Sequence, residues 1–224
     1  MAKYLNTELI FKNRTDAANQ LTQKLLSYKF QSPVVIGLPR GGVAVAKPIS
    51  EKLGGSLDII VSKKIGAPNN PELAIGAVTS HCDYVIAPYA QEAIHEFPLQ
   101  DNNGWDYLQT QIVDLIKDCQ EREKNYCRGR FETCLYKGQN VILVDDGTAT
   151  GMTALAAIKS IKKQNPAFLI LAIPVISSQA YDELKDKVDK IEALKIPRDF
   201  IAVGNHYDDF SAVTDDEIKQ MLGV

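Results

Sequence analysis

The chain lacks any apolar run long enough to cross a membrane. Its longest, Ala167–Ile176, is about half the length a spanning helix needs and contains Pro174. The opening residues, MAKYLNTELIFKNR, hold no apolar core of the kind that directs secretion, so a cytoplasmic location is predicted. Cysteine is scarce. Cys82, Cys119, Cys127 and Cys134 form no C-x-x-C pair, and their spacing predicts free thiols in a reducing compartment rather than a zinc or redox site. His81, His95 and His206 are scattered, and no metal-ligating set of side chains is assigned. Basic excess is also absent. With 25 Lys and Arg against 28 Asp and Glu, the net charge of −3 gives no global field for nucleic acid, and none is expected as a partner. Neither G-x-x-x-x-G-K-[ST], G-x-G-x-x-G nor G-x-S-x-G occurs, which removes the sequence case for a Walker nucleotide site, a dinucleotide enzyme or an α/β-hydrolase.

What is present is a regular alternation. Apolar residues make up 45% of the 224 positions, enough for a core without disulfide or metal support, and a single domain spanning 1–224 is predicted. Helical spacing runs over Asp16–Leu26, with Thr15 or Asp16 as the cap. Val34–Leu38 is short, continuous and β-branched, as a strand buried on both faces would be. A Pro39-Arg40-Gly41-Gly42 turn, a helix over Val43–Leu53 and a strand over Leu57–Val61 complete a strand–helix–strand unit. Lys63–Glu72 is rich in Lys, Gly, Pro and Asn and predicts an exposed, mobile loop. Short strands are expected over Ala74–Val78 and Tyr84–Ala87, and a long amphipathic helix over Trp105–Tyr126, within an insert near 89–127. The pattern then resumes with strand Val141–Val144, helix Met152–Lys162, strand Phe168–Val175, and short strands over Val188–Ala193 and Phe200–Val203. This order predicts an α/β fold with a mostly parallel central sheet flanked by helices.

The segment from Val141 to Thr153, VILVDDGTATGMT, carries the most chemistry. A buried strand delivers Asp145 and Asp146 to its carboxyl end, where open α/β sheets bind ligands. A loop of small residues follows, and then a helix start. Loop amides and a helix N-terminus favour an anion, and Thr148, Thr150 and Thr153 add hydroxyl donors. Carboxylates would repel that anion. They suit sugar hydroxyls, or a hydrated cation, one sugar-length away. An acid pair followed by a phosphate nest describes a ribose 5-phosphate site. Either half alone would be an ordinary Asp-Gly turn capping a helix.

This segment resembles the phosphoribosyl pyrophosphate loop of the type I phosphoribosyltransferases. The strings GLPRGGVAVA, KKIGAPNNPELAIGAV, VILVDDGTATGMTALAAI and HYDDFSAVTDDEI, with a Phe-x-x-Arg start at Phe11-Lys12-Asn13-Arg14, resemble a bacterial group of that family over nearly the whole chain. The resemblance implies a phosphoribosyltransferase-like fold with a hood, drawn from the N-terminal region, the 89–127 insert or the C-terminal tail. It implies that Asp145 and Asp146 meet the ribose hydroxyls and that Gly147, Thr148, Ala149, Thr150, Gly151 and Thr153 wrap the 5′-phosphate. Pro39, Arg40, Gly41 and Gly42 resemble the pyrophosphate loop, in which a non-proline peptide is often cis, here Pro39–Arg40. Asp145, Asp146 and Arg40 are then the catalytic candidates. Lys63, Lys64 and Glu72 are expected on a flexible lid, where two lysines suit a leaving pyrophosphate; surface lysines on a solvated loop are the alternative. Mg²⁺, phosphoribosyl pyrophosphate, a small-molecule acceptor and a homodimer are the implied cofactor, ligands and assembly. Transferases for 6-oxopurines carry an acid where this chain has Ala149, and adenine enzymes resemble it there, which leaves Glu72 as the candidate acid for the acceptor. A regulatory binding protein and a nucleotide hydrolase stay open as alternatives to a transferase.

Overall fold

The computed structural model describes residues 10–68, 70–90, 104–127 and 136–224; for Glu72, Gly104 and Trp105 it describes the backbone alone. Five parallel strands form the central sheet: β1 (Val34–Gly37), β2 (Ser56–Ile59), β6 (Asn140–Val144), β7 (Phe168–Val175) and β8 (Lys190–Lys195), in the order β2-β1-β6-β7-β8. The central three are nearly continuous apolar runs because both of their faces are covered. Successive side chains take opposite faces. Ile36, Leu143 and Leu171 pack with Ala157, Ile158 and Ile161 of α4 (Met152–Lys162) and with Ala180 and Leu184 of α5 (Ser178–Leu184). Val35, Ile142 and Ile170 pack instead with Leu21 and Leu25 of α1 (Arg14–Leu25) and with Val45 and Ile49 of α2 (Gly41–Leu53). The edge strands β2 and β8 are part-exposed and mix polar with apolar positions.

A second, antiparallel sheet contains β3 (Ser62–Ala67), β4 (Asn70–Thr79) and β5 (Tyr84–Ile86) in chain order. It shares an apolar cluster with the long helix α3 (Gly104–Cys127), through Leu108, Cys119 and Tyr126, and with the C-terminal helix α6 (Asp215–Leu222), through Ile218. Among the described residues no helix is long and apolar enough to cross a membrane.

Four expectations shift. Helix α1 begins at Arg14, because the Asn13 side chain caps it by accepting from the Asp16 amide at 2.9 Å, ahead of the expected Thr15 or Asp16. The strand expected over Val188–Ala193 lies at Lys190–Lys195. Phe200–Val203 forms no strand; the chain there leads into a short 3₁₀ turn, Val203–His206. Most consequentially, the loop expected over Lys63–Glu72 is an antiparallel hairpin arm, paired from Ser62↔Thr79 to Ala67↔Asn70 with irregular register around Gly66. The polar composition there misleads because the apolar signal of the pair is concentrated in the partner strand, where Ala74, Ile75, Ala77 and Val78 are buried. Ile65 and Ala67 alternate inward between the polar residues, which is strand periodicity diluted by Lys and Gly.

Candidate functional site

Strands β1 and β6 are in-register neighbours, with Gly37 opposite Val144, so their carboxyl ends release the 38–42 and 145–151 segments side by side. The Leu38 amide still donates to the Val144 carbonyl at 2.9 Å. The peptide bond between Pro39 and Arg40 is cis, as the resemblance implied. Helix α2 then starts directly, and no side chain caps its N-terminus. Gly41 and Gly42 lie against the acid pair. A Cβ built on Gly41 would sit 1.8 Å from Asp146 Oδ2, and one on Gly42 would sit 2.7 Å from the Val144 carbonyl oxygen. The two loops that the sequence proposed to share a ligand are therefore in contact through backbone that only glycine permits.

Asp145 and Asp146 are part-buried. The Asp146 amide donates to Asp145 Oδ1 at 2.9 Å, and Tyr207 Oη donates to the Asp146 carbonyl at 2.6 Å. Arg14 Nε donates to Asp146 Oδ2 at 2.7 Å. Burial, and next the neighbouring Asp146 charge, push the Asp145 carboxyl well above the ordinary carboxylate range, with Lys64 opposing the shift. Burial also raises Asp146, and the Arg14 hydrogen bond and charge hold that rise in check. The Tyr207 hydroxyl is raised by burial and by the Asp146 charge, so it stays a neutral donor.

The loop that follows is braced from beneath. Gly147 lies under Val203 and Val175, where a Cβ would approach Val203 Cγ1 to 2.4 Å. The backbone of Thr148 bridges to Ile176, its amide donating to Val175 and its carbonyl accepting from Ser177. Thr148 Oγ1 accepts from the Gly151 amide at 3.0 Å, and Ser177 Oγ donates to the Ala149 carbonyl at 2.5 Å. Gly151 adopts φ +72, a left-handed conformation that suits glycine, and α4 begins with no side-chain cap. The Thr150 hydroxyl is buried and has no partner among the described residues. Thr153 lies in the first turn of α4 and Ala149 is exposed. An uncapped helix start beside an unpaired buried hydroxyl is the donor set that a phosphate group would satisfy.

The amino-acid sequence over residues 2–209 matches the "Phosphoribosyl transferase domain" family description. The chain belongs to the phosphoribosyl transferase family. It is 34% identical over 214 residues to a Mycobacterium tuberculosis protein named "Putative phosphoribosyl transferase", covering 95% of this chain and 46% of that protein. The chain thus spans about half the length of the curated relatives it matches. The solved structure of TT1426 from Thermus thermophilus is also similar, at 37% identity and a TM-score of 0.78, covering 96% of this chain and 98% of that one.

Within this phosphoribosyl transferase domain, the expected site residues divide into those brought together and those not. Gly41, Gly42, Asp145 and Asp146 converge, and the 147–153 loop adjoins them. The Arg40 guanidinium pairs with Asp215 at the start of α6, its Nη1 3.8 Å away, and both side chains are about half exposed. Lys63 and Lys64 stand on the paired strand β3, which corrects the expected loop. Lys63 points to α3 and donates to Asp118 Oδ2 at 2.8 Å, while the charge of Lys64, on the opposite face, reaches Asp145. Glu72 falls in β4, and its side chain lies outside the described residues. Sequence reasoning gave no role to Arg14, Tyr207 or Val203. The signal for Arg14 and Tyr207 was the Phe-x-x-Arg start and the HYDDF string, both visible but without local chemistry until the fold joins them; Val203 lies in neither. Among the described residues no His, Cys, Asp and Glu side chains gather in threes or more as a metal cage.

Proposed function

We propose that this domain binds phosphoribosyl pyrophosphate with Mg²⁺ across the ends of β1 and β6, and transfers its phosphoribosyl group to a small nitrogenous acceptor. The observation that carries this is the packing of Gly41 and Gly42 directly against the Asp145–Asp146 pair. One ligand with a pyrophosphate on C1 and a phosphate on C5 spans both loops only if they abut in this way. In this account Asp145 and Asp146 accept hydrogen bonds from the ribose hydroxyls and hold the sugar for in-line attack. The Thr150 hydroxyl and the free amides of α4 take the 5′-phosphate, and the start of α2 takes the pyrophosphate. The C1–oxygen bond breaks with its electron pair leaving on pyrophosphate, a C1–nitrogen bond forms, and the acceptor nitrogen gives up its proton to solvent water. Lys64 adds positive charge on the pyrophosphate side.

The donor set fits a cation that arrives on substrate oxygens. Among the described residues Asp145 and Asp146 are the carboxylates at this point, and one is committed to Arg14, whereas Mg²⁺ on phosphates needs few protein ligands and keeps several waters. When bound, Mg²⁺ would neutralise charge developing on the leaving group. The test is a pyrophosphate-release screen over purines, pyrimidines and small amines. Acceptor-dependent release supports transfer. Ribose 5-phosphate formed without acceptor supports hydrolysis, and binding without any turnover supports a regulatory role.

A further inference from the structure

The Phe-x-x-Arg start lies outside both ligand loops, yet the fold carries it to their junction. Phe11 is fully buried, and its ring lies 5.2 Å from that of Tyr207. The Phe11 amide donates to the His206 carbonyl at 2.9 Å, and the Asp208 and Asp209 amides donate back to Phe11 and Lys12 at 2.8 and 2.9 Å. These bonds lock residues 11 and 12 alongside residues 206–209. Three residues on, Arg14 projects from the first turn of α1. Its guanidinium lies 3.9 Å from the Phe210 ring centroid, Nη1 donates to the Ser211 carbonyl at 2.8 Å, and Nε donates to Asp146 Oδ2 at 2.7 Å. A Cβ on Gly41 would lie 3.0 Å from that same Nε, so Arg14 touches the meeting point of the two loops.

From this geometry we infer that Arg14 is the positioning residue of the ribose acid pair, presenting Asp146 to the sugar hydroxyls by holding one of its two carboxylate oxygens. The inference rests on the phosphoribosyl pyrophosphate reading. Both side chains are about one-eighth exposed, 12% for Arg14 and 13% for Asp146, so their bond is poorly screened. Two adjacent carboxylates beneath a multiply charged phosphate ligand repel each other and the ligand. Arg14 offsets one of those charges without occupying the phosphate loops. It also fixes which oxygen faces outward: with Oδ2 held by Nε, Oδ1 is the one left for a hydroxyl. The stacked Phe210 and the Ser211 carbonyl keep the guanidinium from swinging out to meet the phosphates itself. Arg14 thereby ties the 206–211 segment to the acid pair.

The experiment compares Arg14→Met, which keeps the apolar stem over Phe210, with Arg14→Lys and wild type. Phosphoribosyl pyrophosphate with Mg²⁺, ribose 5-phosphate and inorganic pyrophosphate are each titrated by calorimetry, and ligand-free melting is recorded. A positioning role predicts that Arg14→Met weakens both ribose ligands about tenfold or more, the usual scale of a lost charge-assisted hydrogen bond, while pyrophosphate affinity changes less than about twofold. Arg14→Lys should fall between Met and wild type. Equal or tighter ribose binding by Arg14→Met overturns the inference alone, as does an equal loss for pyrophosphate. Collapse of ligand-free folding in both variants also overturns it, by making Arg14 a structural pin. If wild type binds neither ribose ligand, the phosphoribosyl pyrophosphate reading fails and takes this inference with it.

Discussion

Asp145 holds its carboxyl at a cost that the fold alone does not require. Its pKa is raised in the folded protein, chiefly by burial and then by Asp146, so the folded state binds more protons than the unfolded state above the ordinary carboxylate range. The sign follows directly: the stability this group contributes is fully present below its unfolded pKa and is lost as pH rises through the folded value. Asp145→Asn keeps an oxygen for the Asp146 amide and removes the charge. Its melting temperature should therefore exceed that of wild type at neutral pH, with the gap closing as pH falls toward 4. A gap that widens on acidification would show that burial of this carboxylate is not the controlling effect. Gly42 makes the opposite case. A methyl there meets the Val144 backbone rather than a movable side chain. Gly42→Ala should cost about 1–3 kcal/mol in denaturant unfolding and weaken ligand binding, because the two loops are pushed apart. Unchanged stability would mean that the loops have slack and that their contact is incidental.

At the scale of elements, the hairpin of β3 and β4 replaces the expected loop. Lys63 is tied to Asp118 on α3, and the Tyr107 hydroxyl donates to the Gly66 carbonyl at 3.1 Å, so the hairpin is held to the long helix at two points. Amide exchange should find Lys63, Ile65 and their partners in β4 protected without any ligand. Exchange there as fast as in an unstructured segment would restore the mobile loop. The buried strands Val34–Gly37, Asn140–Val144 and Phe168–Val175 were legible because a strand covered on both faces must be continuously apolar. The acid pair and its loop were legible for a related reason: their order along the chain is their order in space. The hairpin was not, since its polar strand takes its stability from a partner strand and from α3. Arg14 was not legible either. It meets Asp146 across 132 residues of chain, and no local pattern encodes such a contact.

For the whole molecule, residues 11–14, the 203–215 stretch and α3 meet near the carboxyl ends of β1 and β6. Phe11 and Arg14 hold the 206–211 stretch, Val203 covers Gly147, and Tyr126 of α3 donates to Asp215 at 2.8 Å beside Arg40. These contacts involve described parts of each of the three segments among which the sequence left the hood open. This convergence makes sense if the ends of β1 and β6 bind a ligand. Calorimetric titration of phosphoribosyl pyrophosphate with Mg²⁺ into wild type and into Asp145→Asn/Asp146→Asn tests that most directly. The account predicts saturable binding at one site per chain in wild type, with a rise in melting temperature, and loss of both in a double variant that remains folded. No heat from wild type at millimolar ligand, or binding retained by the double variant, would contradict it.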